Sequence, residues 1–395
     1  GVWFAGKSGN NIVALVSTAK NDVTTWLTGD HVTDETTGFT GAFSSIALNS
    51  LRLNAAGGSD IDLGNTGVLG LTTGGLLVTD QVAGTPSILN GTIFSGAQAS
   101  NVPELILTHD GTTTFELGAD IRANTAFTKS GTGTVLLSGN NTSTGDVAIH
   151  AGTVELSGAN AIGDNARVTL ASHRNSILRL SGNETIGRLE GGQRQTDGDW
   201  GVVEIGSHTL TLNQSASTTY AGRFTGSGTL VMSPSSTGNL NLNGISTGFT
   251  GNVVVKGGLF QLSVSGQIDA PMFNVMKGGA LLIDNNGNTR SGTRILNTAS
   301  IVLDSADGTF SGETRPRGLA VRINVNATTT ETVGDLTFNS GANYFSGEAS
   351  GTTGVTAIIT SNFLRLNGST LNARGRSLGL TTGDRAQLRI GDATN

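Results

Sequence analysis

The 395-residue sequence contains no cysteine, five prolines, two tyrosines and three tryptophans. Without thiols there is no disulfide, no thiolate metal site and no cysteine nucleophile, and the five histidines are scattered rather than grouped as ligands. Stability must come from packing and backbone pairing, and no cofactor is called for. A cysteine-free chain suits export through an oxidising compartment, where stray thiols would cross-link. Charge is also scarce: charged residues make up 13% and the net charge is −6, against about 25% charged in an average soluble domain. With only 23 Lys and Arg and no basic run, neither nucleic acid nor an anionic membrane surface is an expected partner. No stretch reaches the length of an apolar membrane-spanning helix. The aromatic girdles of an outer-membrane barrel cannot be built from so few Tyr and Trp, so no direct membrane insertion is expected. Gly1 is not followed by a charged and then apolar leader, which reads as a processed or excised piece.

Glycine is what the sequence has in excess, at 59 residues. Glycine and proline together still fall short of the roughly 25–30% that marks low-complexity disorder. With 36% hydrophobic residues, the chain is expected to fold.

Apolar residues alternate with polar ones along most of the length, as in Leu51-Arg52-Leu53, Val154-Glu155-Leu156, Leu178-Arg179-Leu180, Val203-Glu204-Ile205, Leu240-Asn241-Leu242, Val321-Arg322-Ile323 and Leu388-Arg389-Ile390. A period of two means short strands buried on one face. Between them lie Gly, Asn, Asp, Ser and Thr, which tolerate left-handed backbone or bond their own turn. Between Asn10 and Asp30 the apolar spacing fits either a short amphipathic helix or two strands, and the β-branched content favours strands.

Short strands build sandwiches, barrels, propellers or solenoids, and internal repeats decide among them. Phe127-Thr128-Lys129-Ser130-Gly131-Thr132-Gly133-Thr134-Val135 is echoed by Phe224-Thr225-Gly226-Ser227-Gly228-Thr229-Leu230. The first continues through Thr144-Gly145-Asp146-Val147 to Gly152-Thr153-Val154-Glu155-Leu156-Ser157, and the second through Thr250-Gly251-Asn252-Val253 to Gly258-Leu259-Phe260-Gln261-Leu262-Ser263. A further echo pairs Glu184-Thr185-Ile186-Gly187 with Glu331-Thr332-Val333-Gly334.

The stretch Phe127 to Ser157 resembles the autotransporter-associated β-strand repeat of bacterial passenger-type surface proteins. It departs from the usual pattern at Ser143, where an aromatic is common, and at Asp146, where a small or hydroxyl residue is common. The resemblance implies an all-β, right-handed parallel β-helix (β-solenoid) with irregular turns. Residues 31–395 are expected to form one continuous β-helix with repeat copies near 127–157 and 224–263, and residues 1–30 to be either its first rungs or a flanking segment. In such a coil like residues stack about 4.8 Å apart and inward Leu, Val and Ile fill a narrow lumen. At an assumed 20–25 residues per rung the chain gives roughly 16–20 rungs, or about 75–95 Å of stacked strands.

Acidic pairs beside an aromatic could serve a carbohydrate-active β-helix, and the best local group is Asp197, Asp199, Trp200 and Glu204. The competing reading, which is favoured, is a protruding polar turn with Glu204 as the exposed middle of a strand. Asp284-Asn285-Asn286-Gly287-Asn288 has oxygen-rich spacing, but no acidic residue follows where a calcium loop needs one, so a plain Asn-Gly turn is expected. His109, His150 and His173 lie near no nucleophile motif and read as surface or rung-edge residues. Arg52, Arg179, Arg322, Arg365 and Arg389 sit at strand centres and would form a basic stripe if they shared one sheet. The competing reading is exposed charge that keeps a sheet face from aggregating.

No catalytic, cofactor or metal site is assigned. What the resemblance implies is a non-enzymatic structural or adhesive segment of an exported protein, extracellular or on the bacterial cell surface. The alternative is a carbohydrate-active or carbohydrate-binding β-helix using the turn from Asp197 to Glu204. Neither end carries an obvious cap, so the expected partners are neighbouring segments of the same long chain or end-to-end copies, with surface glycans as a further class.

Overall fold

A computed structural model describes residues 4–8, 11–14, 17–35, 37–96, 103–141, 145–172, 175–193, 201–285, 293–309, 318–325, 328–350, 355–366, 368–375, 377–378 and 385–391. The chain divides into two compact units, Gly1–Ile186 and Gly187–Asn395.

In the first unit, parallel strands stack in register. Thr18–Ala19 pairs with His31–Thr33, and that strand with Ile46–Leu53, which pairs with Val68–Val78. The stack continues through Glu104–His109, Ala126–Ser130, Val147–Ile149 and Arg167–Leu170. A second stack runs through Ser87–Ser95, Thr114–Ile121, Thr134–Leu137, Gly152–Leu156 and Ser176–Leu180. Before both, Ala5–Ser8 and Asn11–Ala14 form an antiparallel pair, and Val23–Thr25 is a single 3-10 turn capped by Asp22. The strand reading of this N-terminal stretch holds at Asn11–Ala14 and Thr18–Ala19 and gives way to the 3-10 turn at Val23–Thr25.

The second unit repeats the plan. One stack comprises Thr209–Leu212, Thr229–Met232, Asn252–Val255, Met272–Met276, Ser300–Asp304, Thr328–Ser340, Val355–Arg365 and Arg385–Ile390. Another comprises Thr218–Tyr220, Asn239–Leu242, Gly258–Leu262, Gly279–Asp284, Leu319–Val325, Ala342–Ser350 and Thr370–Gly375.

Like residues meet like along these ladders. Thr114 faces Thr134, which faces Thr153, and Leu210 faces Leu230, which faces Val253. Alternation explains this in most strands: one residue in two points inward and joins an apolar ladder, while Gly279–Asp284 is buried on both faces, with Leu259, Ala280, Leu282 and Ala320 forming a further buried cluster. Leu105, Phe127, Val147 and Val168 form such a ladder in the first unit, and Phe260, Leu281 and Leu319 form one in the second. Tyr220, Phe224 and Phe249 pack together inside the second unit, with ring centroids 5.0 Å and 6.4 Å apart. The scarce aromatics are thus largely spent on the interior.

Rung length is where expectation and structure part. Thr114 to Thr134 and Thr134 to Thr153 are steps of 20 and 19 residues, as assumed. Leu281 to Leu319 is a step of 38 and Ile301 to Leu336 one of 35. Strand register is fixed by backbone pairing and the inward ladder, whereas the connecting turn is free to lengthen, so longer rungs stack as well as short ones.

Candidate functional site

Three of the four residues singled out for a carbohydrate site, Asp197, Asp199 and Trp200, lie outside the described residues. The fourth, Glu204, sits in Val202–Gly206 opposite Thr225 of the next rung. Val203 and Ile205 on either side of it are fully buried, and Glu204 is half-buried rather than exposed. Of the expected turn, Asn286, Gly287 and Asn288 lie outside the described residues; Asp284 ends a strand, is buried, accepts a hydrogen bond from Gln261 Nε2 at 3.0 Å and pairs with Arg322 at 3.5 Å. Among the described residues, no group of three or more His, Asp or Glu side chains is placed to hold a metal ion.

The arginines do not make a basic stripe. Arg52 is buried, not exposed, with Nη1 donating to Thr33 Oγ1 and Nη2 to Asn54 Oδ1. Arg179 stacks on Glu155 of the preceding rung and forms an ion pair with it at 3.6 Å. Arg322 lies in register between Asp284 and Glu348, its Nε 3.0 Å from Glu348 Oε2. Arg365 and Arg389 belong to the other stack of the second unit. Opposite charges on successive rungs neutralise one another, as expected of cross-strand pairs.

Sequence alternation misses the most unusual feature, a set of polar groups inside the solenoid. Lys129 aligns with Leu107 and Ile149 and points inward like them. Its ammonium donates to the carbonyl oxygens of Ser130 and Gly131, both at 2.7 Å, and of Ala151 at 3.2 Å. Burial pushes the Lys129 ammonium down to about 8. His109, expected at a surface or a rung edge, ends the strand Glu104–His109 and is fully buried rather than at the surface; His150 is exposed, and His173 lies outside the described residues. His109 Nε2 donates to Thr113 O at 2.7 Å while Gly111 N donates to Nδ1 at 3.3 Å, which defines a neutral ring. Burial holds its pKa below the ordinary histidine value. The glycines of the repeat make room for this cluster: a Cβ on Gly133 would lie 2.5 Å from the His109 ring, and one on Gly152 would lie 2.7 Å from Lys129 Nζ.

Two carboxyl groups are buried in the same manner. Glu184 Oε2 accepts from Ala161 N at 3.0 Å, and Glu331 Oε1 accepts from Arg294 N at 2.8 Å and Ile295 N at 3.1 Å. In each case the carboxyl satisfies backbone donors of an earlier turn that strand pairing leaves unused. Burial raises both to about 7. The echo of Glu184-Thr185-Ile186-Gly187 in Glu331-Thr332-Val333-Gly334 was the sequence signal for this shared device.

The second unit also holds a groove of about 400 Å³, lined by Gln193, Thr219, Asn243, Ile245, Val264 and Ser265 among others. Ser263 to Gly266 is a tight turn at its edge, closed by Gly266 N donating to Ser263 O at 2.7 Å. Val264 stands in this turn at φ +53°, with half of its surface exposed.

Comparison with known proteins agrees with this architecture. Residues 127–160 match the passenger-associated transport repeat. The chain is 30% identical over 155 residues to the adhesin BmaC autotransporter of Brucella suis biovar 1 (strain 1330), a match that covers 38% of this chain and 4% of that protein. The chain thus spans a small fraction of the length of the curated relative it matches. No solved structure matches it. The chain is thus a parallel β-solenoid that carries, at residues 127–160, a stretch matching the passenger-associated transport repeat, with parallel strands stacked on either side of it.

Proposed function

We propose that this chain is a non-enzymatic, surface-exposed segment of an autotransporter passenger, acting as a rigid β-solenoid spacer or as an adhesive fibre unit. One observation carries the reading. Buried ionisable side chains are engaged in holding backbone groups of the solenoid itself: Lys129 binds three carbonyls, and Glu184 and Glu331 bind turn N–H groups. Glu155 with Arg179, and Asp284 and Glu348 with Arg322, pair between rungs. Chemistry of this kind serves a stable shape rather than a reaction. Its partners are neighbouring segments of the same long chain or further copies of it.

Negative-stain electron microscopy and sedimentation across a concentration series test the proposal. Isolated elongated particles at every concentration support the spacer, and filaments that lengthen with concentration support the fibre unit. A compact globular particle would overturn both.

A further inference from the structure

The turn from Ser263 to Gly266 is built against its own conformational preference. A β-branched residue at positive φ is a genuine outlier, and such positions persist only where the surroundings over-determine them. Here the surroundings are visible. Arg294, fully buried, donates from Nη2 to Val264 O at 3.1 Å and from Nη1 to Gly266 O at 2.8 Å. Its Nε donates to Asn285 Oδ1 at 2.5 Å, and its backbone N is held by Glu331. A buried guanidinium therefore clamps two carbonyls of the turn, those of Val264 and Gly266, and leaves the Val264 side chain at the edge of the groove.

The other walls of the groove come from successive rungs. Thr219 follows Thr218, which pairs with Leu240; Asn243 directly follows that paired strand, and Ser263 directly follows the next. Asn243 Oδ1 accepts from Ser263 Oγ at 2.7 Å, which orients the amide and turns its N–H groups away from that bond. Asn241, the register partner of Thr219, has a buried side-chain oxygen without a hydrogen-bond partner. The lining combines amides and hydroxyls from Gln193, Thr219, Asn243 and Ser265 with the aliphatic surfaces of Ile245 and Val264, and among the described residues that line it none is ionisable. A volume of about 400 Å³ falls within the range of small-ligand sites.

We propose that this groove binds a short stretch of an uncharged oligosaccharide, with Asn243, Thr219, Gln193 and Ser265 meeting its hydroxyls and the clamped Val264 packing on its apolar ring face. A ligand bearing many hydroxyls and no charge matches a wall of alternating donors and acceptors, whereas an ionic ligand would lose hydration with no countercharge among the lining residues. The inference rests on the reading of the chain as an adhesive surface segment and names where and what it would bind.

The test is calorimetric titration of the full chain with maltotriose, cellotriose and tri-N-acetylchitotriose, with trigalacturonic acid as the charged probe. Saturable binding of at least one neutral trisaccharide is expected, weakened at least fivefold by Asn243→Ala. Val264→Gly separates binding from folding: it relieves the positive φ, so the melting temperature should hold or rise while affinity falls at least fivefold. No saturable binding of any neutral probe, binding of the acidic probe alone, or unchanged affinity in both variants would overturn the site. Particle shape and sedimentation of the unliganded chain are independent of all these outcomes, so failure here leaves the spacer or fibre reading to its own test.

Discussion

Glu331 and Arg294 hold each other's surroundings in place: the carboxyl accepts the Arg294 backbone N–H, while the Arg294 guanidinium reaches away to the carbonyls of Val264 and Gly266. One buried acid thereby anchors the residue that clamps an earlier turn. The carboxyl is raised to about 7 from 4.5, so the folded chain binds its proton more tightly than the unfolded chain does. The same holds for Glu184. The stabilisation tied to these protons is complete below the unfolded value near 4.5 and is lost as pH rises through about 7. Denaturant melts at pH 5 and pH 8 should show the chain more stable at the lower pH by on the order of 1–3 kcal/mol per carboxyl. In Glu331→Gln, which keeps the acceptor oxygen, that component of the pH dependence should shrink.

Lys129→Met keeps an unbranched four-atom stem and removes the ammonium from the carbonyls of Ser130, Gly131 and Ala151. Three buried acceptors then lose a charged donor, at about 1.5–3 kcal/mol for a hydrogen bond to a charged group. A melting temperature equal to that of the wild type would show that water replaces the ammonium without cost.

Gly152 stands at φ +74°, and a Cβ there would lie 2.4 Å from Gly133 O. Gly152→Ala therefore meets both a left-handed backbone and a collision with main chain, and should lose about 2 kcal/mol or more. Chemical denaturation of the two proteins side by side measures it.

The rung-to-rung ion pairs should matter far less than the lumen. Arg179→Ala removes a partly exposed pair with Glu155 and is expected to cost under about 1 kcal/mol, less at high salt. Phe260→Ala opens a cavity in a fully buried ladder and should cost about 3–5 kcal/mol. Comparable losses from the two would contradict the division into inward and outward ladders.

Much of this architecture was legible because alternation is a local signal. Leu178-Arg179-Leu180 declares its own inward and outward faces, and the match between Phe127–Ser157 and Phe224–Ser263 declares stacking. What escaped were residues whose orientation contradicts their chemistry. Lys129 occupies an inward position between Leu107 and Ile149, and nothing in its composition announces that three carbonyls await it. Arg52 reads as an outward charge, yet it is covered and bonded to Thr33 and Asn54. The groove was equally hidden, because Thr219, Asn243 and Val264 are brought together by stacking and carry no motif in sequence.

The tolerance of the stacks for rungs of 19 or 38 residues separates two kinds of constraint along this chain. The spine, where Ile283 meets Val321, answers only to volume and register and resists change. The connecting segments can gain or lose residues without disturbing it. A lineage carrying such a chain can redraw the outline it presents to its environment while keeping the same backbone scaffold beneath.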